Sequence, residues 1–202
     1  MVEYFTITAA CEAETRVKNS RFIAWLVPAQ SREQAEACIA ARSKLFADAT
    51  HNCYAFRLGM EDHLLAYAND AHEPAGTAGR PMLQVLEARK LTNLAAVVTR
   101  YFGGTKLGIG GLIRAYSGAL QAAVEAAALL PLIPMRTFQL SYQYAESASV
   151  ERALRKYGAH ALHGEFGGEV SRLVEVQAVS AEAFMQYLLE SSAGRVVITA
   201  IA

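Results

Sequence analysis

Pro131 and Pro134 stand three residues apart in the stretch LLPLIPM, at the end of a long alanine-rich run. A proline has no N–H to donate and its ring clashes with the preceding helical turn, so no helix passes this pair. The chain is therefore read as two domains, 1–130 and 135–202, with a short extended linker over 129–135. A chain of 202 residues, 53% of them hydrophobic, can bury a sizeable core without disulfides or metals.

The second half has the clearer pattern. In TFQLSYQY, Phe138, Leu140, Tyr142 and Tyr144 alternate on one face, which is strand periodicity. In SASVERALRKYG, Val150, Ala153, Leu154 and Tyr157 fall at helical spacing, with Ser147 as the expected N-cap and Gly158 as the stop. AHALHGEF and EVSRLVEVQAV flank Gly167-Gly168, a pair able to take positive φ in a hairpin turn. A second helix, AEAFMQYLLESS, closed by Gly194, and a strand, RVVITAI, complete the series. The predicted order is β-α-β-β-α-β, the ferredoxin-like arrangement.

The first half is mixed. Residues 3–10 and 21–27 read as strands, and SREQAEACIAARSKLFA as a helix with a capping box from Ser31 to Gln34. HNCYAFRLG and HLLAYAND read as two more strands. A long loop, AHEPAGTAGRP, precedes a helix near 82–89. NLAAVVTRYF is nearly uncharged and reads as a buried central strand, followed by a helix from about 111 to 129. The fold class is α+β, with helices packed on one face of a sheet.

Lys+Arg and Asp+Glu both number 19, so no global field draws the chain to nucleic acid or to an acidic membrane. Cys11, Cys38 and Cys53 are odd in number and widely spaced, which argues against a disulfide framework and a zinc site. Reduced thiols, the acid Glu3 where a signal peptide needs cations, and uncharged runs too short to span a bilayer point to a cytoplasmic protein. No metal or cofactor is expected.

One local feature departs from this neutrality. RYFGGTKLGIGGLIRAY, residues 100–116, holds Gly103, Gly104, Gly108, Gly110 and Gly111 between a strand and a helix. Glycines permit unusual backbone conformations, and a helix N-terminus presents unpaired N–H groups to anions. No acid lies between Glu87 and Glu125, whereas Arg89, Lys90, Arg100, Lys106 and Arg114 all do. Arg114, placed in or near the first helical turn, opposes the helix dipole unless an anion sits nearby. Tyr101, Phe102 and Tyr116 offer rings on which a base could stack. The stretch is neither a P-loop nor GxGxxG, and a tight strand-to-helix connection with ordinary surface cations accounts for it equally well.

Other residues invite chemistry. His51 and Cys53 alternate on one strand, as half a metal site or as a nucleophile with its base, or simply as strand packing. His72 and Glu73 are acid or base candidates, and Thr77 and Arg80 phosphate ligands. His160 and His163 read as surface residues of a strand. No complete catalytic set is present.

The stretches KNSRFIA (18–24), DATHNCYAFRLG (48–59), EPAGTAGRP (73–81) and VVTRYFGGTKLGIGGLIRAY (97–116) resemble the YigZ/IMPACT family over nearly the whole chain. The resemblance implies a first domain similar to domain 2 of ribosomal protein S5, a fold shared with translation factors and small-molecule kinases. It implies a ferredoxin-like second domain similar to one in elongation factor G. The eukaryotic relatives resemble regulators of translation under amino-acid starvation that act through protein contacts; the bacterial ones have no settled activity. The family pattern has two acids and a glycine before its EPSGTAG stretch, where this chain has NDAHEPAGTAG; Asn69 and Ala71 weaken any acid- or metal-based role there.

Two functions follow as expectations. The first is a non-catalytic, RNA- or ribosome-associated protein in translation regulation, with a protein partner in translation or stress. It would bind phosphates through Arg80, Arg100, Tyr101, the loop glycines, Lys106, Arg114 and Tyr116, with the ferredoxin-like sheet as a second surface. The alternative is a phosphate- or nucleotide-binding enzyme or small-molecule binder that uses the same loop, with His51, Glu73 and Thr77 in its pocket.

Overall fold

The computed structural model describes residues 4–201. Glu3, the outer end of the expected first strand, lies outside the described residues. The chain forms two compact units that divide between Leu132 and Ile133.

The first unit is built on a five-stranded antiparallel sheet of order β2-β3-β6-β4-β5. Its elements run β1 (Tyr4–Ile7), β2 (Cys11–Val17), β3 (Ser20–Pro28), α1 (Arg32–Leu45), β4 (His51–Leu58), β5 (Leu65–Asn69), α2 (Gly79–Ala88), β6 (Leu94–Tyr101) and α3 (Ile109–Ala126). β7 (Leu129–Leu132) closes the unit by pairing antiparallel with β1. The stretch expected as a plain linker therefore begins as a strand, in which Pro131 sits opposite Phe5. β7 is an edge strand of this ribbon, where a residue without an N–H is tolerated.

β6 lies in the middle of the sheet, between β3 and β4. Both of its faces are covered, which is why LAAVVTRY reads as a continuous apolar run. Ala96 and Val98 join Phe22, Leu26, Met82, Leu112 and Leu120 in the larger core under α2 and α3. Ala95 and Val97 join Ala35, Ile39 and Phe56 in a smaller core under α1. Helices thus cover both faces of the sheet; the one-faced packing expected from sequence is corrected by α1. Each fully buried Leu or Phe contributes about 1.5–3 kcal/mol by leaving water. Ser31 caps α1 as expected, accepting a hydrogen bond from the Gln34 N–H at 3.2 Å.

The second unit runs β8 (Met135–Tyr142), α4 (Ser147–Tyr157), β9 (His160–Phe166), β10 (Val170–Gln177), α5 (Ala181–Ser191) and β11 (Val197–Ile201). The β-α-β-β-α-β order is observed, in one antiparallel sheet of order β11-β8-β10-β9. Phe138, Leu140 and Tyr142 face α4 and α5 and pack with Val150, Leu154, Phe184 and Leu188. Gly158 ends α4 at φ 61°, as expected. Two local details differ. Ser147 is the first residue of α4 and caps nothing; Glu146 holds the N-cap position after a short 3-10 turn. The β9–β10 hairpin forms across Gly167–Glu169, with neither Gly167 nor Gly168 among the positive-φ glycines.

Candidate functional site

The glycine loop connects β6 to α3 and is open to solvent over most of its length. Its backbone is shaped by its neighbours. Phe102 N–H donates to Thr50 Oγ1 at 3.0 Å and Gly103 N–H to Ser20 Oγ at 3.1 Å. A Cβ at Gly103 would collide with the Asn19 carbonyl and the Ser20 amide. Gly104 and Gly108 hold φ of 84° and 71°, which a residue with a Cβ adopts only with strain. Gly108 is the N-cap of α3 and offers no side chain to its first-turn N–H groups. Gly110 and Gly111 lie within the first turn. The helix begins two residues earlier than expected, so Arg114 falls in its second turn.

The cations of the stretch do not converge on one point. Arg100 is only 5% exposed, and its Nη1 pairs with Glu73 Oε1 at 2.5 Å. Tyr116 is 0% exposed; its hydroxyl donates to the same oxygen at 2.7 Å, and its ring meets Phe22 edge-on. Neither residue can reach a nucleic acid from these positions, which corrects their expected roles. Tyr101 donates to Asp48 at 2.9 Å and Arg21 lies over its ring at 5.6 Å. Arg80 is exposed on α2 and lines neither of the clefts described next. Thr77 is buried, with its hydroxyl donating to the Pro74 carbonyl at 2.6 Å; it braces the loop and lines neither cleft.

The remaining residues frame two clefts on either side of Leu107. The larger, about 490 Å³, is bounded by Thr50, His51, Glu73, Pro74, Arg100 and Phe102, and by Lys106 to Ile109 with Leu112. His51 and Glu73 are thus joined to the glycine loop, whereas Thr77 and Arg80, the other residues expected in that pocket, are not. His51 Nδ1 lies 2.9 Å from the Ala71 carbonyl and Nε2 3.8 Å from Glu73 Oε1. The smaller cleft, about 180 Å³, is bounded by Val17, Lys18, Leu107, Gly111, Arg114 and Ala115 and by no acid.

The family model of the Impact N-terminal domain matches residues 18–124, a span that holds every residue of both clefts except Val17. The chain is 37% identical to IMPACT family member YvyE of Bacillus subtilis, over 95% of this chain and 88% of that one. The chain belongs to the IMPACT family. It is 35% identical to an IMPACT family member of Haemophilus influenzae, over 98% of this chain and 97% of that one. A crystal structure of a hypothetical protein matches 100% of this chain and 98% of its own at TM-score 0.67 and 29% identity.

In this IMPACT family member the Cys53 thiol is no nucleophile. Cys53 is fully buried and donates to the Asp70 carbonyl at 3.0 Å, and burial pushes its thiol up to about 12. Burial likewise pushes the Tyr116 hydroxyl far above its ordinary range. Among the described residues no group of three or more His, Cys, Asp or Glu is placed to hold a metal ion. Among the described residues no helix is long and apolar enough to cross a membrane.

Two residues of the region escaped the sequence reading. Lys18 sits with Asn19 in the two-residue turn between β2 and β3, both at positive φ, and this turn brings Lys18 to the smaller cleft. The alternation of Cys11, Ala13, Thr15 and Val17 with Glu12, Glu14 and Arg16 was the available signal for β2. Asp70 ends the β5 hairpin arm and accepts the N–H groups of Gly76, Ala78 and Gly79 at 2.8–2.9 Å, which fixes the loop that carries Glu73. Burial alone would raise its carboxyl, but the three donors outweigh that and hold it below the usual range.

In the second unit, the sheet face turned away from α4 and α5 presents His163, Glu165, Glu175 and the small polar residues Thr137, Gln139 and Ser141. That face carries no lysine or arginine among the described residues, so it is poorly suited to phosphates.

Proposed function

We propose that this protein is a non-catalytic, RNA- or ribosome-associated member of the IMPACT family that acts in the regulation of translation in the cytoplasm. The observation that carries this reading is the acid-free cleft of Lys18, Gly111 and Arg114, with Lys106 across Leu107. Two cations beside the first turn of α3 suit a phosphate group. Phe102 is 46% exposed and has the Arg100 guanidinium 5.5 Å from its ring, so its outer face is free to stack on a base. A role without covalent chemistry fits the buried, protonated Cys53. The finer fold assignments belong to the same proposal: a domain like domain 2 of ribosomal protein S5 followed by a ferredoxin-like one. The β-α-β-β-α-β order and the β11-β8-β10-β9 sheet support the latter.

The test is a fluorescence anisotropy titration with single-stranded RNA at increasing salt. Binding weakens with salt, and Lys18→Ala with Arg114→Ala lowers the salt slope by about 2. Binding that ignores both salt and these substitutions overturns the reading, as does no binding to RNA or to ribosomes in co-sedimentation.

A further inference from the structure

The larger cleft is not explained by a phosphate surface. An anion at its deep end would meet the Glu73 carboxylate, and Arg100 is already engaged by that carboxylate. The deep end instead offers acceptors. The Ala71 carbonyl can only accept, so the proton of a neutral His51 sits on Nδ1 and a lone pair remains on Nε2. That lone pair lies 3.8 Å from Glu73 Oε1. Oε1 already accepts from Arg100 and Tyr116, so the Nε2 lone pair is the acceptor left for a hydroxyl or an amino group.

The other parts of the wall have different chemistry. Pro74, Phe102, Leu107, Ile109 and Leu112 form an apolar band. At the far side, Lys106 and the start of α3 at Gly108 and Ile109 provide a positive end, with no side chain capping the helix. Arg100, itself 5% exposed, also lines this cleft, and its Nε–H has no hydrogen-bond partner.

We infer that this cleft binds a nucleoside monophosphate. Its phosphate lies at Lys106 and the α3 N-terminus, its planar ring system lies along Phe102 and Ile109, and a hydroxyl or amino donor reaches His51 Nε2. At about 490 Å³ the cleft is within the size range of small-molecule sites. The inference shares Phe102 and Lys106 with the RNA reading and is tested separately from it, since the RNA test uses Lys18 and Arg114, neither of which lines this cleft.

Isothermal titration calorimetry of the full chain with the four common nucleoside monophosphates tests it, with the parent nucleosides and inorganic phosphate as comparisons. At least one monophosphate binds, and its nucleoside and inorganic phosphate each bind about tenfold more weakly, because each keeps only part of the contacts. Ile109 is 67% exposed, so Ile109→Glu leaves the core intact while setting a negative charge beside the phosphate; it weakens binding about tenfold. Phe102→Ala, equally outside the core, also weakens it. No binding of any monophosphate overturns the inference, as does binding that survives both substitutions in variants that melt like the wild type. Inorganic phosphate binding as tightly as the nucleotide overturns it as well. A free nucleotide and the end of an RNA chain offer the same chemistry; a short RNA with a terminal phosphate displaces the monophosphate in the second case and fails to do so in the first.

Discussion

Glu73 and Arg100 form an ion pair at 2.5 Å in which neither side chain is more than a tenth exposed. Tyr116 adds a third member from α3, so the pair ties the 70–78 loop, β6 and α3 together. A buried charge is tolerable only while its partner is present. Glu73→Ala strands the guanidinium and costs about 3–5 kcal/mol of stability, read as a drop in the urea midpoint. Glu73→Gln keeps an acceptor and costs less. The double change Glu73→Gln with Arg100→Met is less harmful than the two single costs added together. A Glu73→Ala protein as stable as the wild type would show that the pair does not hold these elements.

Cys53 offers a separate test of the buried cluster. With its thiol pushed up to about 12 and no exposed surface, it carries almost no thiolate near neutrality. Native protein treated with a maleimide at about pH 8 keeps Cys53 unmodified by peptide mass spectrometry, and denatured protein does not. Labelling of native Cys53 at the rate of a free thiol would contradict its burial in the larger core with Met82 and Tyr116.

These two residues also show what sequence could and could not reveal. The acid-free window from 88 to 124 made Arg100 look like a free cation. Its partner is 27 positions away, in a loop that only the folded sheet brings under β6. Tyr116 was misjudged for the same reason: a ring near a basic loop looks available until Phe22 and Glu73 are placed against it. Charge counted along a chain is blind to contacts that sheet pairing creates. The second unit was more legible because each element is local and bounded by a breaker, as Gly158 and Gly194 show. β2 was missed because its inward positions are small, Cys11 and Ala13, and its outward ones charged, so its apolar contrast is weak. The cleft joining His51, Glu73 and the loop was foreseeable only as a condition, because it depends on β4, the 70–78 loop and α3 meeting at one end of the sheet.

Asp70 sets an acid limit on the loop that carries Glu73. Its carboxyl is held below its ordinary value by three N–H donors against the opposing effect of burial. A lowered folded-state value means that the ionised form is favoured by folding. The stabilisation is therefore fully present above the unfolded carboxyl value, about 3.9, and is lost as pH falls through the folded one. Asp70→Ala removes the acceptor from Gly76, Ala78 and Gly79 and costs about 2–3 kcal/mol near neutrality. The difference between wild type and Asp70→Ala shrinks as pH drops below about 4, measured by urea unfolding across pH. A difference that stays constant with pH would show that the ionised carboxylate is not what fastens the loop.

The loop glycines divide by what surrounds them, and Gly103 and Gly110 give opposite signs. A Cβ at Gly103 runs into backbone at Asn19 and Ser20, which cannot yield without moving the β2–β3 turn that carries Lys18. Gly103→Ala therefore destabilises the first unit by about 1–3 kcal/mol through overpacking, and it also weakens RNA binding by displacing Lys18. At Gly110 a Cβ meets only the Arg114 guanidinium at 3.5 Å, the mobile end of a long side chain, and the residue is helical. Gly110→Ala stabilises by about 0.5–1 kcal/mol, because alanine loses less freedom than glycine in a helix. Thermal melts of the two variants against the wild type read both signs. A neutral Gly103→Ala would mean that the loop does not rest on the turn, and the route by which Lys18 reaches its cleft would have to be abandoned.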